Sequence, residues 1–420
     1  MYNADHPGEH AFVVRYDDFN PYLDRFRSHY SQRRKPQKVL ARWKIWDHID
    51  AILSLGTTQL VDRVLRQTNR SHPAAVDIDH LPADKLTKNQ QRDLLLLCTL
   101  YDQSSEESQA ARLGQLRRKL KFRTWMSHWD IALGIVWTLL TFFLFLYFGG
   151  WRQMLTYWPY LVAIIGWFPR WWRMLRWCWK SWKIVRNCKT VHRSTNRLRR
   201  ALMRLPESQL TDQPLPLDQS TDHRYTLLAK LQNILSTLGF PGMLVLIDRI
   251  DEPYMINGSP ELMRMLAWPL FDNKLLKHPS LGFKLLLPSE LGEQIERESR
   301  EFHERARLDK QNLIRSLSWT PQSLLDVANS RLAACSERDR KVVLGDLFDE
   351  SVPQNRITEV LGQLRVPRHM FKFLYRVLVT HANAHSEDSP AWRISSTTFE
   401  SVFSLYQRDR EAFERGTGVV

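Results

Sequence analysis

The hydrophobic pattern of the chain predicts short buried strands separated by helices. Four short, mainly apolar runs have the length of strands, and the second, which is continuously apolar, is typical of a parallel strand covered on both faces. They lie at 11–16 (AFVVRY), 243–247 (MLVLI), 283–287 (FKLLL) and 313–317 (LIRSL). Between the runs, apolar residues recur at helical spacing, and Gly239 and Pro241 end one such helix just before the second run. Alternation of strand and helix predicts an α/β fold with a parallel sheet.

The longest apolar segment predicts a membrane span. Residues 131–148 carry no charge, and a helix of this length rises about 27 Å, close to the hydrocarbon thickness of a bilayer. A second uncharged run, 153–169, follows after Gly149–Arg152 and contains Pro159. Tryptophans flank both runs, as they do at membrane interfaces. We therefore expect a transmembrane hairpin at 128–169 with its turn at 149–152. The alternative is a buried helical hairpin in a soluble core.

Charge places this hairpin relative to the membrane. The chain has 60 Lys and Arg against 45 Asp and Glu, a net charge of +15. Much of the excess lies at 117–123 and 170–189, on either side of the apolar segment. By the positive-inside rule, we expect a two-pass protein of the inner cell membrane with both termini cytoplasmic. A basic helix at 170–200 would then lie along the inner leaflet of the lipid bilayer. Nucleic acid is the competing, disfavoured partner.

The cysteines and the N-terminus add two exclusions. Cys98, Cys178, Cys188 and Cys335 have no CxxC spacing, which argues against a zinc site or a disulfide framework. The first thirty residues lack an apolar core of signal-peptide length. A reducing cytosol suits both observations.

Acidic residues follow the second apolar run. Asp248 comes directly after MLVLI, and Asp251 and Glu252 follow three and four places later. This is the Walker B pattern, in which a strand end presents one carboxylate to Mg²⁺ while a second orients the attacking water. The alternative is an ordinary parallel strand that ends in Asp at a loop.

LVLIDRIDEP, the apolar hairpin before it and the early strand followed by DDFNPY together resemble the KAP and STAND branches of P-loop NTPases, which are AAA+-like ATPases. The resemblance implies ATP and Mg²⁺ as cofactors, with Asp248 on the metal and Asp251 or Glu252 on the water. It also implies an arginine finger at Arg305 or Arg307, acting on a neighbouring subunit of a homo-oligomer. Arg368, in VPRHMFKFL, matches the residue that contacts the γ-phosphate in the sensor 2 segment.

Some residues depart from the family pattern. Tyr22 stands in FNPY where KAP proteins have Trp, and Arg249 follows Asp248 where they have a second Asp. The alternatives for the arginines are a helix-end residue stabilised by the dipole for Arg305 or Arg307, and a solvated residue at a helix start for Arg368.

The phosphate-binding loop is missing from the sequence. No GxxxxGK[ST] occurs, so the chain as it stands should bind ATP weakly. In the resembled fold this loop follows a first strand, which lies between the third and fourth strands of that fold, here 243–247 and 283–287. We therefore expect a gap in the sheet, and either a preceding segment that fills it or the loss of that segment from the gene.

The predicted fold is thus an α/β, P-loop NTPase-like parallel sheet without its first strand, an inserted transmembrane hairpin and a C-terminal helical lid. Its segments are the N-terminal NTPase part (1–127), the hairpin (128–169), a basic juxtamembrane helix (170–204), a linker (205–224), the Walker B part (225–320) and a helical, winged-helix-like lid (321–420). The predicted function is a membrane-anchored nucleotide-dependent switch or signalling ATPase. The alternative is a catalytically silent membrane scaffold. The protein partner is not indicated.

Overall fold

The computed structural model describes residues 10–31, 33–65, 85–104, 108–122, 129–154, 156–203, 213–308, 313–314, 318–336, 342–385 and 390–414. The chain divides into two units, 1–312 and 313–420. Helices make up most of both units.

A small parallel sheet forms the centre of the first unit. Its strands are β1 (Phe12–Tyr16), β2 (Met243–Ile247) and β3 (Leu281–Leu285), in the spatial order β1-β2-β3. Both pairs are parallel, and Ile247 at the end of β2 lies opposite Tyr16 and Leu285. The predicted α/β class with a parallel sheet is therefore confirmed, and the acidic loop follows the central strand.

Two strand predictions differ from the structure. The third strand begins two residues earlier than the predicted 283–287, because Leu281 already pairs with Met243. The ladder ends with one further bond, from Leu286 N–H to the Ile247 carbonyl at 2.8 Å. The strand predicted at 313–317 is not formed at 313–314, and 315–317 lie outside the described residues.

The predicted gap in the sheet is wrong. β2 and β3 pair directly along their whole length, so their facing N–H and C=O groups are already satisfied and no strand fits between them. In the part of the chain that the structure describes, the edge of β3 that faces away from β2 has no strand beside it. An additional strand next to β3 would therefore have to pair with this outer edge.

Helices of the first unit surround the sheet. They are α1 (Asn20–Ser28), α2 (Pro36–Leu40), α3 (Ile45–Leu65), α4 (Lys88–Tyr101), α5 (Gln109–Lys119), α6 (Trp129–Met154), α7 (Trp158–Gly166), α8 (Phe168–Asn187), α9 (Thr195–Leu202), α10 (Asp222–Thr237), α11 (Pro260–Ala267), α12 (Asn273–Leu276), α13 (Ser289–Glu296) and α14 (Arg300–Arg305). A 3₁₀ turn spans Trp268–Leu270. Gly239, which follows α10 with φ +97°, ends that helix as predicted.

The predicted two-span hairpin is wrong in its second half. Only α6 is long and apolar enough to cross a membrane among the described residues. α7 has nine residues and rises roughly 14 Å, about half the hydrocarbon thickness. Pro159 and Pro169 each lie at the start of a helix, where the missing N–H costs nothing, so they divide the second run between α7 and α8. The predicted turn at 149–152 is also wrong, because α6 continues to Met154.

α6 and α7 nevertheless pack against each other. The Trp137 indole donates to the Val162 carbonyl at 2.9 Å, and the Trp167 indole donates to the Thr138 hydroxyl at 3.1 Å. Phe142 contacts Tyr160 with ring centres 5.8 Å apart, whereas Gly134, earlier in α6, lies beside Trp167 after the end of α7, so the two helices are antiparallel. Only 11% of the 131–148 window is buried, so most of its apolar side chains face outward. A core helix of a soluble protein would be mostly buried instead.

One core joins the chain on both sides of α6–α8. Buried residues from 12–120 and from 177–291 belong to the same apolar cluster. Arg224 of α10 donates two hydrogen bonds to Asp50 of α3, both at 2.9 Å, and neither side chain is exposed. Arg112 of α5 likewise contacts Asp102 at 2.9 Å and Asp62 at 2.6 Å. Both ends of the inserted helices therefore enter one folded body.

The second unit is helical, as the sequence predicts. Its helices are α15 (Pro321–Cys335), α16 (Gln354–Leu364), α17 (Pro367–Ala384) and α18 (Ser396–Glu414), with a 3₁₀ turn at Leu344–Leu347. Phe373 of α17 and Phe399 of α18 are fully or almost fully buried in a separate apolar core. Among the described residues of this unit, strand pairing is limited to a single parallel bridge between Phe348 and Ile394.

Candidate functional site at the carboxyl end of the sheet

The loops that follow β1 and β2 meet at one edge of the sheet. Asp18 follows β1 and Asp248 follows β2, because parallel strands bring their carboxyl ends together. The Asn20 side chain links the two loops by accepting from the Tyr254 N–H at 3.2 Å. The Asn20 N–H in turn donates to Asp18 at 3.1 Å. The sequence prediction that the acidic residues lie at a strand end is therefore confirmed.

Asp248 is held by the backbone around it. Its N–H donates to the Tyr16 carbonyl at 3.4 Å, and its carboxylate accepts from the Arg249 N–H at 2.8 Å. Arg249 has φ +58°, a left-handed conformation that is uncommon for a side chain of this size. Strained conformations of this kind occur often at functional sites. Asp248 is half-buried.

Asp251 and Glu252 lie in the turn after Asp248. Ile250 between them and Asp248 is fully buried and anchors the turn, and the Asp251 carbonyl accepts from the Gly258 N–H at 3.1 Å. Glu252 is 3.7 Å from the Arg249 guanidinium, and both side chains are 59% exposed. An exposed pair of this kind contributes at most about 1 kcal/mol, so Glu252 is free to take another orientation.

The carboxylates do not form a preassembled metal site. Among the described residues, no group of three or more His, Cys, Asp or Glu side chains is placed to hold a metal ion. Mg²⁺ in nucleotide sites usually keeps several waters and is held by one or two carboxylates together with the phosphates. Asp248 by itself would supply one carboxylate to such an ion.

The predicted arginines occupy three different settings. Arg305 is the last residue of α14, exposed, with its guanidinium 5.6 Å from the centre of the Phe302 ring. This position also fits the alternative of a helix-end arginine stabilised by the dipole. Arg307 follows with φ +59°. Arg368 is exposed in the first turn of α17, in the second unit.

A buried polar cluster lies beneath this edge, and sequence reasoning missed it. The Tyr16 hydroxyl is 3.3 Å from His48 Nδ1, and His48 Nε2 is 2.8 Å from the Leu266 carbonyl. Burial lowers the pKa of His48 to about 4 and raises the pKa of Asp47 to about 7. The signal was present in IWDHID, where Asp47, His48 and Asp50 interrupt an otherwise apolar helix start.

No family model, curated protein or solved structure matches the chain. The fold and the site therefore stand on the chain's own residues, and the P-loop resemblance stands on its motifs alone.

Proposed function

We propose that this chain is a membrane-anchored, P-loop NTPase-like protein that works as a nucleotide-dependent switch. The observation that carries the proposal is the position of the inserted helices. α6–α8 leave the chain between β1 and β2, which are neighbours in one parallel sheet. The central strand of that sheet ends in Asp248. Trp177 and Ile184 of α8 pack into the same apolar core as the sheet, so movement in the loops at this edge would reach the inserted helices through that core.

In the proposed site, ATP brings Mg²⁺ to Asp248. Glu252 leaves its weak pair with Arg249 and orients the attacking water, with Asp251 as the neighbouring carboxylate. Arg305 or Arg307 would act on the nucleotide of a neighbouring subunit in a homo-oligomer, and Arg368 is the residue that the resemblance matches to the sensor 2 arginine. Each role comes from the family resemblance.

ATP hydrolysis by the protein, expressed from the start of its reading frame and placed in lipid vesicles, tests the proposal. We expect Mg²⁺-dependent hydrolysis that falls at least roughly tenfold in Asp248→Ala and in Glu252→Gln. Asp222→Ala is the matched control, since Asp222 is an exposed acid on α10 with 79% of its side chain accessible. Equal binding and hydrolysis in all of these proteins would overturn the ATPase proposal.

A second candidate, a silent membrane scaffold, is favoured by two observations. The sequence contains no GxxxxGK[ST], and β3 carries the exposed Lys284, a residue type that protects free sheet edges from pairing. For the scaffold we expect no nucleotide binding in any variant, and unchanged folding of Asp248→Ala. The same ATP measurements therefore separate the two candidates.

For the membrane part, we propose that α6 lies in the bilayer with α7 beside it. Residues 170–189 then meet the cytoplasmic headgroups, because basic flanks favour that side. The outward-facing apolar side chains of α6 support this proposal, for example Leu139 at 65% and Phe143 at 64% exposure.

A further inference from the structure

α8 has one side held by the folded body. Trp177, Ser181 and Ile184 are buried and lie four and three positions apart, on one face of the helix. Trp177 and Ile184 belong to the main apolar core. At the end of the helix, the Asn187 amide donates to the Leu217 carbonyl at 2.5 Å. The rotation of α8 about its axis is therefore set by the protein.

The opposite side of α8 is aromatic and exposed. About half a turn from the buried face, at roughly 100° per residue, stand five large apolar side chains. They are Phe168, Trp172, Leu175, Trp179 and Trp182, which are 46% to 64% exposed. A continuous exposed patch of this kind marks an interaction surface. We call these five residues the aromatic face.

Cations lie over the indole rings of α8, two of them on the aromatic face and one, Lys180, on the buried Trp177. Lys180 lies 4.8 Å from the Trp177 ring centre, Lys183 lies 4.0 Å from that of Trp179, and Arg186 lies 5.2 Å from that of Trp182. The sequence has no Asp or Glu between residues 130 and 207, so the inserted segment supplies no counter-charge of its own. Burial and the neighbouring Arg176 lower the pKa of Lys180. An external anion beside Lys180 would oppose both the effect of burial and the repulsion by Arg176.

We propose that α8 binds the surface of a bilayer that contains anionic phospholipids. The aromatic face lies at the boundary between headgroups and acyl chains, and Lys180, Lys183 and Arg186 contact the lipid phosphates. Two observations favour lipid as the occupant. A single residue, Trp167, separates α8 from α7, which packs on the apolar α6. The cations are also stacked on indole rings, a mixed surface that suits a membrane interface.

This inference rests on the membrane part of the proposed function and is independent of the ATPase part. Nucleic acid is the other polyanion that binds basic and aromatic side chains, through its phosphates and bases. If nucleic acid were the partner, the chain would bind single-stranded RNA in solution, and the charge of the lipid headgroups would have no effect.

The native Cys178 thiol provides a reporter on α8. Cys178 is half-buried, Cys98 and Cys188 are buried, and the exposed Cys335 is replaced by Ser. The full chain is placed in phosphatidylcholine vesicles with or without phosphatidylglycerol, and the rate of Cys178 modification by a charged maleimide is measured. We expect slower modification when phosphatidylglycerol is present, since the interface then shields the thiol.

The test variant carries Lys180→Gln, Lys183→Gln and Arg186→Gln. Each cation should contribute roughly fivefold to lipid association, so this variant should lose the dependence on phosphatidylglycerol. The matched control, Lys277→Gln with Arg297→Gln and Arg300→Gln, removes the same charge from exposed sites elsewhere and should keep it.

Two results would overturn the inference. One is a modification rate that does not depend on phosphatidylglycerol, and the other is RNA binding that the test variant abolishes while lipid composition has no effect. Resistance to alkaline extraction from the vesicles is measured on the same samples. Loss of that resistance in the unmodified chain would instead contradict the membrane anchor itself.

Discussion

The ion pair between Asp50 and Arg224 is the most deeply buried charge contact described in the first unit. Both side chains have no exposed surface, and the Tyr101 hydroxyl donates to Asp50 at 2.8 Å. Removing one partner leaves a buried charge without compensation. We predict that Asp50→Ala or Arg224→Met lowers the free energy of unfolding by about 3–5 kcal/mol, measured by urea unfolding in detergent.

Two comparisons give this prediction its control. Asp222→Asn breaks an exposed pair with Lys274 and should change the same free energy by less than about 1 kcal/mol. The double variant Asp50→Ala with Arg224→Met leaves no uncompensated charge and should recover part of the loss. A double variant as unstable as both single changes summed would contradict the explanation.

Asp47 makes stability depend on pH. Burial raises its pKa to about 7, with the charge of Asp50 adding to this and those of Lys189 and Arg224 opposing it, whereas the unfolded value is about 3.9. Below about pH 4 the carboxyl is protonated in both states. Between about pH 4 and about pH 7 only the unfolded chain loses the proton, so the free energy of unfolding falls by up to about 1.4 kcal/mol per pH unit.

We therefore predict that Asp47→Asn is more stable than the natural chain at about pH 8, by about 4 kcal/mol, and equally stable at about pH 4. Asn keeps an oxygen that accepts from the Lys44 N–H, a bond of 2.9 Å in the structure. Urea unfolding of both proteins across this pH range provides the measurement. A difference that stays constant with pH would show that Asp47 does not titrate in this way.

At the scale of elements, the contact between α6 and α7 depends on Gly166. A Cβ at this position would lie 1.9 Å from Trp137 Cδ1 and 2.9 Å from its Cβ, so the indole and its bond to Val162 would have to move. We predict that Gly166→Ala separates the helices. The measurement is disulfide formation between Phe142→Cys and Tyr160→Cys, whose native ring centres lie 5.8 Å apart, in a chain with Cys178 and Cys335 replaced by Ser.

Gly114 of α5 is the matched control, because a Cβ there meets nothing within 4 Å. Gly114→Ala should leave the disulfide yield unchanged and stabilise α5 by about 0.5–1 kcal/mol. Unchanged yield in Gly166→Ala would mean that the approach of the two helices does not depend on Gly166.

These elements also show how far sequence reasoning reaches. β2 was predicted to the residue, since an apolar run between Gly242 and Asp248 allows little else. The carboxylates of the candidate site followed from that strand end. The second span was misjudged because hydropathy alone does not reveal that Pro159 and Pro169 begin new helices. The Asp50–Arg224 pair joins residues 174 positions apart, and no local pattern records such a contact.

At the scale of the whole molecule, the shared core constrains membrane topology. Residues before α6 and residues after α8 pack into one cluster, so both flanks must lie on the same side of a membrane.

We predict that Ser28→Cys and Lys277→Cys, both at exposed positions, react alike with an impermeant thiol reagent on sealed vesicles, in a chain with Cys178 and Cys335 replaced by Ser. α7 has nine residues and rises only roughly 14 Å, too little to bring the chain back across the hydrocarbon, so α6 and α7 should enter the bilayer from this side without crossing it, and Thr156→Cys should be protected from the reagent on both sides. Labelling of Ser28→Cys and Lys277→Cys from opposite sides would contradict the single core, and reaction of Thr156→Cys from the opposite face would contradict entry without crossing.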